Sequence, residues 1–565
     1  MKVLIIGGVA GGATAAARLR RLDEQAEIIV FERSGYVSYA NCGLPYYIGG
    51  VIQEEKKLTL QTPQSFRSRF NIDVRVRSEV TEIDPAVQTV TVHDLANDRF
   101  YTESYDKLIL SPGARAVVPP LPGADGKRVF TLRTVEDTFR IRDFLEQRKP
   151  TRAVVVGGGF VGLEMAENLM ARGLDVTLVE QLDQVMPPFD FDMAQEIHAG
   201  LRARGLHLCL STAVTAITDH DTGPVTVSLK NGQSLDCDLV LLAVGVAPDT
   251  ALAKAAGLEL GERGSIIVDE HMRTSQPDIY AVGDAVRIRH RVTGKAGLIS
   301  LAGPANKQGR IAADHICGLP SAYRGAMGSS VIKLFDMTAA ATGLNEKTAK
   351  ALGVCYDKAL LFSASHGSYY PGGTNMSIKV LFDPESGRIL GAQIVGADGV
   401  DKRIDVLATA IHAGMTAADL EELDLSYAPP YASAKDPINM AGYVIENLRM
   451  GLVKQYHWHD VAALPRDGSV TMLDVRTDAE YAQGHIDGTV HIPLDQLRMR
   501  MGELDPAKPL YVNCRSGQRS YIACRLLGQY GYDCHNLAGG FRFYEVVTGN
   551  PPLGDSRVGE CGLPL

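Results

Sequence analysis

Lys2-Val3-Leu4-Ile5-Ile6-Gly7-Gly8-Val9-Ala10-Gly11-Gly12 is a short apolar run that passes directly into a glycine-rich turn. An uninterrupted apolar run of this length reads as a parallel strand buried on both faces. The turn leads into a helix expected over Ala13 to Leu22, and a second apolar strand, Ile28 to Phe31, closes on Glu32. Strand, glycine turn, helix, strand and a terminal acid make a dinucleotide-binding βαβ unit. Its small residues let the backbone approach a pyrophosphate at the helix N-terminus, and the acid takes ribose hydroxyls. Gly7, Gly8, Ala10, Gly11, Gly12, Glu32 and the adjoining Arg33 form the expected nucleotide site; Val9, in place of the second glycine of GxGxxG, is a departure from the pattern.

The unit recurs. Ala153 to Val156 is followed by Gly157-Gly158-Gly159-Phe160-Val161-Gly162, a helix through Ala171, and a strand Val176 to Val179 ending in Glu180. Gly157, Gly159 and Gly162 complete GxGxxG. Two such sites in one chain imply two cofactors, most simply FAD and a nicotinamide nucleotide, with hydride passing between them. An acid at Glu180 favours a free ribose 2′-hydroxyl, so NADH is expected, with NADPH possible.

Just after the first unit comes Ser38-Tyr39-Ala40-Asn41-Cys42-Gly43-Leu44-Pro45-Tyr46. A flavin disulfide reductase needs two cysteines here in a CxxxxC arrangement, and this stretch has one. Pro45 is tolerated in the first turn of a following helix, whose dipole is expected to lower the Cys42 thiol below its ordinary value of about 8.5. A lone thiolate stores its oxidising equivalent on an external sulfur or oxygen, as a mixed disulfide, persulfide or sulfenic acid. The alternative is an inert cysteine packed in a turn.

Two further segments suit a flavoprotein. Tyr105 to Gly113 is an apolar strand ending on Ser111-Pro112-Gly113, and Ile279 to Ala285 is another, ending on Gly283-Asp284. They resemble the second and third FAD motifs of the two-dinucleotide-domain flavoproteins, which implies that Asp284 holds the ribityl chain; Gly245 is assigned to the same cofactor set. A helix over Ala305 to Ile316 would aim its N-terminus at the flavin pyrimidine edge. From about Ser330 to Val444 the chain alternates strands and helices without glycine-rich turns.

A chain of 565 residues holds several domains, on a prior of roughly 150 residues each. The net charge of −9 gives nucleic acid no electrostatic footprint. Nine dispersed cysteines lack CxxC or zinc spacing, so no metal is expected and a reduced cytoplasmic setting is. With a strand at Lys2 no targeting segment is expected, and no apolar run reaches the roughly 18 residues that span a bilayer.

The region from residue 1 to about 445 resembles the coenzyme A-disulfide and CoA-persulfide reductase branch of the pyridine nucleotide-disulfide oxidoreductases. The carrying residues are Ser38 to Cys42 (Tyr39 where Phe is usual), Tyr105 to Gly113, Asp401-Lys402-Arg403-Ile404-Asp405 and Tyr427-Ala428-Pro429-Pro430-Tyr431. The resemblance implies that Cys42 is the redox nucleophile over the flavin. Thr14, Arg18, Arg21, Ser38 and Asn41 would hold CoA, with Lys435 reaching from the partner subunit of a homodimer. It also implies that Tyr369 and Tyr427 approach the thiol from the other subunit and supply a proton to the leaving thiolate, Tyr427 also standing at the cofactor. Asn306 stands where some members carry a substrate-contacting His. Arginines also suit a phosphorylated carrier on physical grounds.

Near the C-terminus, Leu473-Asp474-Val475-Arg476, Gly484-His485-Ile486 and a strand Leu510 to Asn513 precede Cys514-Arg515-Ser516-Gly517-Gln518-Arg519-Ser520. A cysteine between a strand and a helix, in a loop of inward amides, is an anion cradle. This segment resembles a rhodanese homology domain, which implies that Cys514 carries sulfane sulfur with Arg515 and Arg519 beside it. Four residues separate Cys514 from Arg519, one fewer than in the phosphatase loop.

The expected architecture is α/β: two Rossmann-like dinucleotide-binding domains (FAD at 1–112 and 240–320, NAD at 113–239), an α+β dimerisation domain at 321–446, a linker at 447–462, a rhodanese-like α/β domain at 463–555 and a tail at 556–565. The expected activity is NAD(P)H-driven, flavin-dependent reduction of CoA persulfide, polysulfide or disulfide, releasing hydrogen sulfide, with sulfane sulfur supplied through Cys514. The rivals are an NADH peroxidase or oxidase cycling through a Cys42 sulfenic acid, and a sulfur-trafficking sulfurtransferase.

Overall fold

The computed structural model describes residues 1–549, so the expected tail and Cys561 lie outside the described residues. The chain divides into two compact units, Met1–Asp183 with Leu206–Gly328, and Gln184–Gly205 with the chain from Ser329 onward.

The first unit contains two five-stranded parallel sheets. One runs in the order Ile279–Ala281, Lys107–Leu110, Lys2–Ile6, Glu27–Glu32, Asp73–Val76. Val3, Leu4 and Ile5 are fully buried, as a strand covered on both faces requires. The helix Ala10–Leu22 follows, and the helix Ala302–Ile316 packs on it through a close approach at Gly309, where a Cβ would stand 2.2 Å from the Gly11 carbonyl oxygen. That second helix starts at Ala302, before Pro304, because proline is at ease in a first turn.

The other sheet runs His207–Cys209, Asp175–Val179, Arg152–Val156, Leu239–Leu242, Val129–Phe130. Leu239–Leu242 lies in this sheet, hydrogen-bonded to Arg152–Val156, so the return to the first sheet comes later than the expected boundary at 240. The crossing is a two-stranded ribbon of Ala114–Ala116 and Val246–Pro248.

The second unit is built on an antiparallel sheet in the order Ser330–Leu334, Met337–Gly343, Ile389–Gly396, Asn375–Phe382, Asp357–Ala364, with the helix Val400–Ala413 against its central strands. The helix Phe191–Ala203 belongs to this unit, although in sequence it interrupts the NAD segment. Its hold is ionic and buried: Lys379, 1% exposed, places Nζ 2.7 Å from Asp192 and 3.1 Å from Asp190, with Glu346 on the same ammonium. A parallel sheet completes the unit, in the order Lys454–Tyr456, Cys534–Leu537, Leu510–Asn513, Thr471–Asp474, Val490–His491. Lys454–Tyr456 falls in the stretch read as linker. It is instead an edge strand whose Tyr456 is buried at 4% exposure. A run of three residues is too short for its period to be read from sequence.

Candidate active sites

In the first unit the nucleotide turns have the geometry a pyrophosphate needs. Gly7 has φ of 95°, and a Cβ there would fall 2.0 Å from the Ser111 carbonyl oxygen. A Cβ on Gly12 would meet the Gly7 carbonyl oxygen at 1.9 Å, which packs the helix directly on the turn. Glu32 accepts from Gly8 N–H at 3.0 Å and Ser34 N–H at 2.9 Å, so the acid at the strand end also braces its own turn. The second turn repeats this: Glu180 accepts from Gly158 N–H at 2.7 Å and Leu182 N–H at 2.9 Å, while Gly159 faces open space into which a ligand backbone contact fits.

Cys42 reaches solvent in a single 3-10 turn, Asn41–Gly43, ahead of the short helix Leu44–Gly49. The expected lowering of its thiol is not found. Desolvation by the surrounding protein pushes it up, the Glu164 carboxylate adds to that, and Arg133 opposes it. Six helical residues carry too little dipole to outweigh burial of the thiol with a carboxylate added to it. Glu164 is itself raised to about 7, mainly by burial, and lies 3.5 Å from the Tyr46 hydroxyl.

Arg133 joins several of these parts. Its Nη2 donates to Asp284 at 2.9 Å and its Nε to the Ala114 carbonyl at 3.0 Å. The Asn41 amide, oriented by its hydrogen bonds, donates to the Arg133 carbonyl at 3.1 Å and accepts from Nη1 at 3.3 Å. Sequence reading missed both Arg133 and Glu164. Glu164 could have been found two residues beyond Gly162, at the end of the GxGxxG turn, whereas Arg133 sits in no motif.

Of the expected carrier residues, Thr14 Oγ1 donates to Asn306 Oδ1 at 2.8 Å, which joins the helices Ala10–Leu22 and Ala302–Ile316 at one surface. Arg18 is paired with Asp314 at 2.6 Å, while Arg21 is exposed. Lys307 and Arg310, both exposed beside Asn306, add to the basic character of that surface. Arg20 serves the fold, donating to five backbone carbonyls. Ser38 adopts a φ of 48° beside Tyr39.

In the second unit, Tyr369 and Tyr427 are hydrogen-bonded hydroxyl to hydroxyl, 71% and 48% exposed. They line a cavity of about 720 Å³ with Lys435, and its opposite wall is Ser516, Gly517 and Gln518 of the Cys514 loop. Cys514 is fully buried; Gly517 N–H donates to its Sγ at 3.1 Å and Ser520 Oγ at 3.2 Å. Arg519 makes a buried bidentate pair with Glu480 at 2.8 and 2.7 Å, which ties its helix to Asp478–Ala482. Arg515 stands 4.0 Å from Glu545. The sulfur thus receives a backbone amide and a hydroxyl.

Among the described residues, Asp190, Asp192 and Glu346 converge closely enough to hold a metal, but the Lys379 ammonium already stands between them. No described helix is long and apolar enough to cross a membrane.

The fold and sites define a two-nucleotide flavoprotein reductase with a buried cysteine in a strand-to-helix loop. The chain belongs to the pyridine nucleotide-disulphide oxidoreductase family, whose model matches residues 1–309, with the family's dimerisation domain at 329–437 and a rhodanese-like domain at 457–545. It is 38% identical over 448 residues to a coenzyme A disulfide reductase of Staphylococcus haemolyticus, across 79% of this chain and all of that protein. Among solved structures it is similar to reduced CoADR-RHD of Bacillus anthracis, at 48% identity and a TM-score of 0.95 over 97% of this chain and 98% of that one. It is also similar to a NAD-dependent persulfide reductase from A. fulgidus, at 39% identity and a TM-score of 0.90 over 96% and 100%.

Proposed function

We propose that this protein is a cytoplasmic, homodimeric, flavin-dependent reductase of CoA persulfide, CoA polysulfide and CoA disulfide that receives sulfane sulfur through Cys514. One observation carries the reading: the Cys514 loop opens on the same cavity as Tyr369, Tyr427 and Lys435. A carrier small enough for a cavity of about 720 Å³ fits there, and a flexible thiol arm is such a carrier.

The turn from Gly7 to Gly12, Glu32, Ser111 and Asp284 would hold FAD, and the turn from Gly157 to Gly162 with Glu180 would hold NADH. The bound flavin supplies two-electron exchange between a nicotinamide hydride and a thiol–disulfide pair. The chain's own residues do the rest. Cys42 thiolate attacks the CoA-bound sulfur of the persulfide, forming a Cys42–S–S–CoA bond and expelling hydrosulfide. Two electrons and a proton then return Cys42 to thiolate and release CoA thiol, so each persulfide and NADH with one proton yields CoA thiol, hydrogen sulfide and NAD⁺. Tyr427, paired with Tyr369, donates the proton to the leaving thiolate. Thr14, Arg18, Arg21, Ser38, Asn41, Asn306 and Lys435 hold the CoA moiety. At Cys514, Gly517 N–H and Ser520 Oγ steady the persulfide anion.

The test follows NADH consumption and sulfide release with CoA persulfide, CoA disulfide and hydrogen peroxide, on wild type, Cys42→Ser and Cys514→Ser. Sulfide from CoA persulfide that disappears in Cys42→Ser is expected. Cys514→Ser keeps that activity and loses turnover with inorganic polysulfide. Fast peroxide turnover with inert CoA persulfide would replace the reading by a sulfenic acid enzyme.

A further inference from the structure

The rhodanese-like module is tied to the helix Phe191–Ala203 by a partly buried ion pair that no step above uses. Arg542, on the helix Gly540–Thr548, sends Nη1 to Glu196 Oε1 at 2.6 Å and Nη2 to Oε2 at 2.9 Å. Ser377 Oγ donates to the same Oε1 at 2.8 Å, and the guanidinium lies over Phe362, 4.3 Å from the ring centroid. Glu196 is a stiff anchor, because its helix is pinned by Lys379 on Asp192 and by Gln393 on Asp190, each at 2.7 Å.

The main chain of the same residue faces the other way. Arg542 N–H donates to the Arg515 carbonyl at 3.0 Å, and Phe541 N–H donates to the Cys514 carbonyl at 2.7 Å. One residue therefore holds the sulfur-carrying loop with its backbone and the sheet's anchor with its side chain. A bidentate guanidinium–carboxylate pair fixes orientation as well as distance, which a single hydrogen bond does not.

We infer that Arg542 is a positioning residue that, through Glu196, sets where the Cys514 loop opens on the cavity and so governs transfer of sulfane sulfur to the carrier thiol. This rests on the relay proposed above. The half-reactions do not need the pair. Loading of Cys514 depends on the Gly517 and Ser520 donors and on backbone hydrogen bonds that a side-chain change at Arg542 leaves in place, and reduction of CoA disulfide depends on Cys42. Hand-over between them is a question of reach, and small misplacements of reacting atoms are costly.

Three rates on the FAD-loaded full chain test this: thiosulfate-to-cyanide sulfur transfer, NADH oxidation with CoA disulfide, and NADH-dependent sulfide release from inorganic polysulfide with catalytic CoA. Arg542→Met is expected to lower the third rate about tenfold or more and to leave the first two within about twofold. Glu196→Gln is expected to do the same, with the double variant no worse than either single, and Arg542→Lys is expected to recover part of the loss. An unchanged third rate in Arg542→Met overturns the inference alone, as does a parallel fall of all three rates that follows the melting temperature. A wild type without polysulfide turnover overturns the relay and the positioning role together.

Discussion

Ser520 Oγ stands 3.2 Å from Cys514 Sγ, on the first turn of a helix whose Gly517 N–H reaches the same sulfur at 3.1 Å. Both donors come from one short loop, and the sulfur they meet is fully buried. A hydrogen bond to a charged acceptor is worth about 1.5–3 kcal/mol, so Ser520→Ala is expected to slow sulfur transfer at Cys514 roughly tenfold or more. Thiocyanate formation from thiosulfate and cyanide measures it. NADH oxidation with CoA disulfide should be unaffected.

Arg519→Met tests a different property of the same loop. It strands Glu480 in a buried site, and breaking such a pair costs about 3–5 kcal/mol. The expected result is a lower denaturant midpoint together with lost sulfur transfer, where Ser520→Ala loses transfer alone.

Glu164 and Arg133 push the Cys42 thiol in opposite directions. Glu164→Gln removes the carboxylate and is expected to lower the apparent pKa of Cys42, whereas Arg133→Met raises it. The pH dependence of iodoacetamide labelling in the NADH-reduced holoenzyme reads both. Glu164 also shapes stability. Its carboxyl is raised from 4.5 to about 7 in the fold, so its contribution is complete below pH 4.5 and is lost as pH rises through about 7. Glu164→Gln should flatten that decline in a series of denaturant melts.

Lys379 pairs with Asp190, Asp192 and Glu346 at once, and Lys358 adds a second ammonium on Glu346 at 2.9 Å. Lys379→Met leaves buried Asp190 and Asp192 without their ammonium and is expected to cost about 3–5 kcal/mol in chemical denaturation. Addition of Asp192→Asn should recover part of the loss, since it removes one of the stranded charges.

Glu180 braces the second nucleotide turn through Gly158 and Leu182 while its position favours a free ribose 2′-hydroxyl. Glu180→Gln is expected to shift the ratio of kcat/KM for NADH over NADPH toward NADPH by roughly tenfold, as loss of one charged hydrogen bond predicts. Steady-state rates with the two nucleotides and CoA disulfide check it.

The residues that were legible in sequence share one property: their signal is local. An apolar run followed by glycines and a terminal acid betrays Lys2 to Glu32 and Ala153 to Glu180, because backbone approach and strand burial impose a pattern within about thirty residues. Cys42 and Cys514 were singled out for the same reason, Cys42 in a turn just before a helix and Cys514 in the loop between a strand and a helix. The lone thiol in Ser38 to Tyr46 already pointed to an external sulfur or oxygen partner.

Tertiary structure alone decided the rest, because it depends on charges and surfaces brought together from distant segments. The upward shift of Cys42 came from desolvation of the thiol by the folded protein, with Glu164, more than a hundred residues away in the chain, adding to it, and together they outweigh a short helix dipole. The pairing of Arg519 with Glu480 depended on where a separate helix packs. The helix Phe191–Ala203 sits with the antiparallel sheet because Lys379 neutralises its acids there, a partnership no periodicity encodes. Local pattern therefore determined what chemistry the chain carries, and long-range electrostatics and packing determined which side chains hold it in place.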